Sequence, residues 1–183
     1  MNESELCRAL RAYIEEAVKD LQLPVEPPMP DIDADEFPED GEEVRPKEPT
    51  PTEEYVLRRT PTVINGYLPP KRDDEDDKRD FPCIVVRPDE STSSRELTTV
   101  TVSIIFCAYS QTSDGYEHCL NMATRVRTAI MSLPFLTLAN RYRLEGEVSW
   151  RNFSEQPHPY YQIDMSTKWT FQSPLPVSGI EDL

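Results

Sequence analysis

Two histidines, His118 and His158, are the only imidazoles in the 183-residue chain. His118 is followed directly by Cys119, but adjacent residues on a helix point in different directions, so the pair is a poor start for a metal site. His158 stands between Pro157 and Pro159, a turn context that suits a surface or interface residue better than a catalyst. The five glycines, Gly41, Gly66, Gly115, Gly146 and Gly179, are isolated. A phosphate cradle needs glycine for close backbone approach, so neither a Walker loop nor a dinucleotide fingerprint can be drawn. No G-x-S-x-G elbow occurs. Carboxylates abound but crowd into Pro-rich or charged runs, where no rigid pair with separated pKa values can be held. Asp73-Asp74-Glu75-Asp76-Asp77 lacks the ligand spacing of a calcium loop and reads as a charged turn. Cys7, Cys83, Cys107 and Cys119 form no C-x-x-C pair; reduced thiols used for core packing are expected. The expectation is therefore no catalytic residue, no cofactor and no metal.

The charge balance narrows the partners. Nineteen Lys and Arg stand against 34 Asp and Glu, a net charge of -15. Gripping nucleic acid requires cations that replace phosphate counterions, so this chain would repel DNA at long range. An acidic surface serves solubility, or a channel wall along which DNA slides without sticking. The start, Asn2-Glu3-Ser4-Glu5, does not read as a signal peptide, and no apolar run approaches the length of about 18 residues that a membrane span needs. No membrane association is expected.

The elements that would position any site follow from periodicity. Leu6, Leu10, Tyr13, Ile14, Ala17 and Leu21 share one face of a helix over 3–22, with Asn2 and Glu5 at its capped start and Pro24 as its stop. Residues 24–54 hold twelve acidic and two basic residues and eight prolines, so they cannot bury enough surface to offset ordering their backbone. They predict an extended arm, flexible when free. Short strands follow at 60–68 and 81–87. Residues 97–109 alternate strictly, Val100, Val102, Ile104, Phe106 and Ala108 against Thr99, Thr101, Ser103, Ile105, Cys107 and Tyr109. The second set is partly apolar, which implies that something covers it. A helix capped by Asp114, with Glu117 at the reciprocal position, runs to about Leu133. Two more strands alternate at 141–151 and 161–171, and the tail from Ser173 reads as frayed. The fold class is α+β: a mostly antiparallel or mixed sheet, two helices packed on one face, and a long acidic Pro-rich arm. The boundaries are 1–23 for the first helix, 24–59 for the arm, 60–172 for the core and 173–183 for the tail.

Several motifs then occur in order: Ile64-Asn65-Gly66-Tyr67-Leu68-Pro69-Pro70-Lys71, Asp80-Phe81-Pro82-Cys83-Ile84-Val85-Val86-Arg87, the Val100–Tyr109 strand, Gly115-Tyr116, Val148-Ser149-Trp150, Glu155-Gln156-Pro157-His158-Pro159-Tyr160-Tyr161, and Trp169. As a set they resemble the tail terminator, or tail completion, proteins of long-tailed bacteriophages. The resemblance covers roughly 60–172 and the first helix, while the acidic arm is longer than a minimal terminator has.

The resemblance implies a structural virion protein of the tail and neck, assembled in the host cytoplasm. It implies a homo-oligomer, six-fold in most such proteins, that caps the head-proximal end of the tail tube and ends its growth. Its partners would be the tail tube protein and the head connector or stopper, with DNA passing through the lumen without specific binding. The residues expected to face the lumen or a partner are Asp31, Asp33, Asp35, Glu36, Phe37, Glu39, Asp40, Glu42 and Glu43 on the arm, and Arg141, Arg143 and Arg151 on a strand. Alternatives are a head-side connector, or a non-viral adaptor whose acidic arm binds a basic partner.

Overall fold

The computed structural model describes residues 2–25, 57–68 and 80–173. Helix α1 spans Glu3–Val18. Asn2 caps it through Oδ1, which accepts the Glu5 N–H at 2.9 Å. The helix stops short of the expected boundary at Gln22, and Pro24 lies in a short strand instead of ending the helix. Leu21 continues the apolar spacing because it packs on the core from the turn, not from the helix.

That short strand, β1 (Leu23–Val25), pairs antiparallel with β2 (Leu57–Arg59) in a separate two-stranded ribbon. The ends of the expected arm are thus held together, Val25 opposite Leu57. Residues 26–56 between them, including Asp31, Asp33, Asp35, Glu36, Phe37, Glu39, Asp40, Glu42 and Glu43, lie outside the described residues, as do 69–79 and 174–183.

The main sheet has six strands in the order β3-β4-β5-β8-β7-β6. These are β3 (Thr62–Asn65), β4 (Cys83–Ser93), β5 (Leu97–Tyr109), β6 (Thr137–Leu138), β7 (Tyr142–Asn152) and β8 (Tyr160–Gln172). Among the described strands only β3 with β4 is parallel. Helix α2 (Gly115–Met131) lies between β5 and β6 in sequence. Both helices pack on one face, α1 over β3 and β4, α2 over β5 and β8, so the architecture is the expected α+β layer pair.

Alternation fixes which side chains meet the helices. Val100, Val102, Ile104 and Phe106 of β5, and Ile163, Met165 and Trp169 of β8, are all buried on that face. The Trp169 indole N–H donates to Thr167 Oγ1 at 2.9 Å, and that hydroxyl donates to the Val102 carbonyl at 3.1 Å, so the largest buried ring leaves no orphan donor. The helices are tied by side chains that reach each other's backbones. The Tyr13 hydroxyl donates to the Ala129 carbonyl at 2.8 Å, and Arg125 Nε donates to Ala17 O at 2.9 Å. Ala17 O belongs to the last turn of α1, whose carbonyls have no partner within the helix, so a cation is well placed there.

Two local expectations change. Asp114 makes no side-chain cap bond and already has helical φ and ψ. Upstream, the Ser110 hydroxyl accepts the Thr112 N–H, and the Thr112 hydroxyl accepts the Asp114 N–H. Gly115 is required for space: a Cβ there would come within 2.2 Å of the Tyr161 ring. Ser173 is not frayed, since its N–H donates to Glu96 O at 2.9 Å and its hydroxyl to Ser94 O at 2.8 Å.

Candidate assembly surface

The face of the sheet away from the helices carries the polar half of each alternation. Among the described residues no helix covers it. It still contains buried side chains: Cys83, Val85, Ser103 and Ile105. At its centre is a cleft of about 480 Å³ lined by Asp89, Ser103, Ser149, Trp150, Arg151, Asp164, Met165 and Ser166. Register assembles it, because Arg87, Ser103, Ser166 and Ser149 stand in one row across four strands, and Val85, Ile105, Asp164 and Arg151 in the next.

The cleft pairs its charges unevenly. The Ser103 hydroxyl donates to Asp89 Oδ2, and Arg87 Nε donates to Asp89 Oδ1 at 3.3 Å. Asp164 is held more loosely: Oδ2 stands 3.6 Å from Arg151 Nη2, and its buried Oδ1 has no hydrogen-bond partner. The Arg151 side chain is 73% exposed, and its guanidinium also sits over the Phe153 ring, 5.3 Å from its centroid. The Ser103 hydroxyl is turned toward the Asp89 carboxylate, and no histidine is among the described lining residues. Chemically the cleft is a set of hydrogen-bonding groups with one under-used carboxylate.

The three arginines singled out from sequence are spread along β7 and not clustered, since the partners of Arg143 and Arg151 stand six residues apart on β8. Arg143 and Arg151 project from the uncovered face, opposite Thr170 and Asp164 of β8, and Arg141 lies just before the strand. All three are exposed. The expected face assignment holds through an irregularity. Between Glu145 and Ser149 the strand has three residues where β8 has only Thr167. Two extra residues preserve the parity of two, so Val148 and Trp150 return to the side of Leu144. Gly146 occupies this bulge with φ +73°, a conformation glycine adopts without strain.

The strand edges are the other feature that local spacing does not reveal. Strand β3 covers β4 only along Cys83–Val86 and β6 covers β7 only along Tyr142–Arg143. Among the described residues, Arg87–Ser93 of β4 and Leu144–Asn152 of β7 have no strand beyond them. These edges lie on opposite sides of one sheet and run antiparallel to each other. They also differ in character. The β4 edge carries Pro88, a register shift, Asp89 and Glu90, devices that blunt strand addition. The β7 edge has its own register shift and exposed Glu145 and Glu147, and differs in carrying Trp150, 40% exposed, and Arg151 in place of a proline. Where β7 ends, the Gln156 side chain acts as a strand partner: its Oε1 accepts the Gln162 N–H at 2.7 Å and its Nε2 donates to Gln162 O at 3.0 Å.

The histidines lie apart from this surface. His118 is on α2, where burial lowers its pKa against the opposing pull of Asp114 and Glu117. His158 lies in the loop before β8, its ring 6.4 Å from that of Tyr161. Among the described residues no three His, Cys, Asp or Glu side chains are grouped to hold a metal ion, and no helix is long and apolar enough to cross a membrane. No family model matches the chain, and no curated protein matches it.

Proposed function

We propose that this protein is a non-catalytic ring subunit that caps the head-proximal end of a phage tail tube, ends tube growth and joins the tail to the head connector. The observation that carries the reading is the pair of unlike strand edges on one sheet. A closed ring is built head to tail from two different patches on each subunit, whereas a two-fold dimer uses one patch twice. The edge of β4, with Pro88, Asp89 and Glu90, and the edge of β7, with Trp150 and Arg151, offer two such unlike patches, and they meet through side chains because the β4 edge is blunted against strand addition. On β7 the exposed Arg143 and Arg151 flank the exposed Glu145 and Glu147, so that side offers charges of both signs to a neighbour. The acidic segment 26–56 leaves from the β1–β2 ribbon and carries most of the negative charge. Facing a lumen, it would offer DNA few phosphate contacts.

The test is to delete the gene from the producing phage or prophage and image the particles by negative stain. Headless tubes of uncontrolled length, rescued by purified protein, are expected. Tails of normal length beside unjoined heads would make it a head-side connector, and normal infectious particles would remove the virion role.

A further inference from the structure

Strands β4 and β5 bring two of the four thiols opposite one another, Cys83 against Cys107. The hydrogen-bond parity of this pair can be read from its neighbours. Thr62 donates to Pro82 O and Gly66 to Val86 O, so even-numbered residues of this part of β4 direct their backbone groups to β3. Cys83 therefore directs its groups to β5. A hydrogen-bonded antiparallel pair has its Cα atoms about 5.5 Å apart. That lies within the roughly 4.4–6.8 Å that a disulfide spans, while the Cβ atoms of such a pair, about 5.5 Å apart, must close by about 1 Å, so the bond formed is strained and readily reduced. Both side chains project from the face without helices, Cys83 fully buried and Cys107 partly exposed. The other two thiols are sequestered: Cys7 and Cys119 are buried against the helix-side core, and Cys119 Sγ donates to Tyr161 O at 3.3 Å.

We propose that Cys83 and Cys107 are a reversible dithiol–disulfide modification site on the uncovered face of the sheet, oxidised by small disulfides such as oxidised glutathione. This goes beyond the assembly role and does not depend on it. Exposure sets the order of events. Cys107, the accessible thiol, attacks as thiolate; one sulfur of the small disulfide joins it and the other leaves as a thiolate. Cys83 then loses its proton to solvent and attacks Cys107 Sγ, expelling the second small thiolate. One disulfide is consumed, one is formed, and two small thiols are released, so electrons and protons balance. The Cys83 S–H hydrogen bond lowers the Cys107 pKa, which favours this order, while that bond and burial raise Cys83. The product would staple β4 to β5 in the rows beside β3.

The experiment treats the native full-length chain with oxidised glutathione and follows intact mass, free thiols and peptide maps. The expected product is lighter by about 2 Da, keeps two of its four thiols, links the Cys83 and Cys107 peptides and reverts with reductant. Its thermal midpoint rises by about 5 °C. Cys83→Ala should stop at a stable glutathione adduct on Cys107. Four titratable thiols after prolonged treatment, a persistent adduct on the unaltered chain, or a link through Cys7 or Cys119 would each overturn the proposal. Because the unaltered chain supplies the main readout, a misfolded variant does not blunt the test.

Discussion

Strands β5 and β8 present two faces built from the same alternating backbone, and their faces have opposite uses. Toward the helices, Val100, Ile104, Phe106, Ile163, Met165 and Trp169 are fully or almost fully buried and their few polar groups are paired. On the other side Ser103, Asp164, Ser166 and Lys168 form an incompletely paired surface, with one buried carboxylate oxygen lacking a donor. The first face stabilises the fold; the exposed positions of the second are free to vary in chemistry without dismantling it, while Cys83, Val85 and Ile105 are buried there. Substitutions that separate stability from assembly are the way to test that division.

The largest effect is expected in the helix-side core. Trp169→Ala should cost about 3–5 kcal/mol in urea unfolding, because it leaves a cavity and removes the N–H that Thr167 Oγ1 accepts. Next is Gly115→Ala, which must displace the Tyr161 ring and its bond to Thr112 O, at a cost of about 1–3 kcal/mol. Replacing 26–56 by a short Gly-Ser link should change stability by only about 1 kcal/mol, since β1 and β2 already close the base. It would also reduce the net charge from -15 to -5, visible as a shifted isoelectric point. On the uncovered face, Arg151→Ala should alter stability by less than about 0.5 kcal/mol, given a 3.6 Å contact to a mostly exposed guanidinium. If it instead unfolds the protein, the division between the faces fails.

The smallest effect is electrostatic. Burial lowers the His118 pKa in the folded chain, so below about pH 6.5 the unfolded chain takes up a proton first. Stability should therefore fall as pH drops from about 7 towards 5. His118→Gln should flatten part of that slope in thermal melts.

How much of this was legible in sequence depended on whether the signal was local. Strand β5 runs Leu97–Tyr109 as its alternation predicts, because thirteen residues of period two have no competing pattern. The faces of β7 were also readable, since the bulge around Gly146 adds two residues and leaves parity intact. The end of α1 was not, because Leu21 keeps helical spacing while packing from a turn. The pairing of β1 with β2 was not either: its partners are more than thirty residues apart and carry no shared local mark. The cleft was invisible for the same reason, since Asp89, Ser103 and Asp164 come from three strands and meet only through register. The partly apolar second face of β5 hints at cover; Ile105 and Val85 are buried there, although among the described residues no helix lies over that face.

The most direct test of the central claim is to mix purified protein with headless tail tubes from the deletion strain and image the tube ends. The account predicts a ring of this protein at one end of each tube, absent from the tip end, and no further growth when tube subunits are added. Binding along the tube wall, equal occupancy of both ends, or continued elongation after saturation would contradict it.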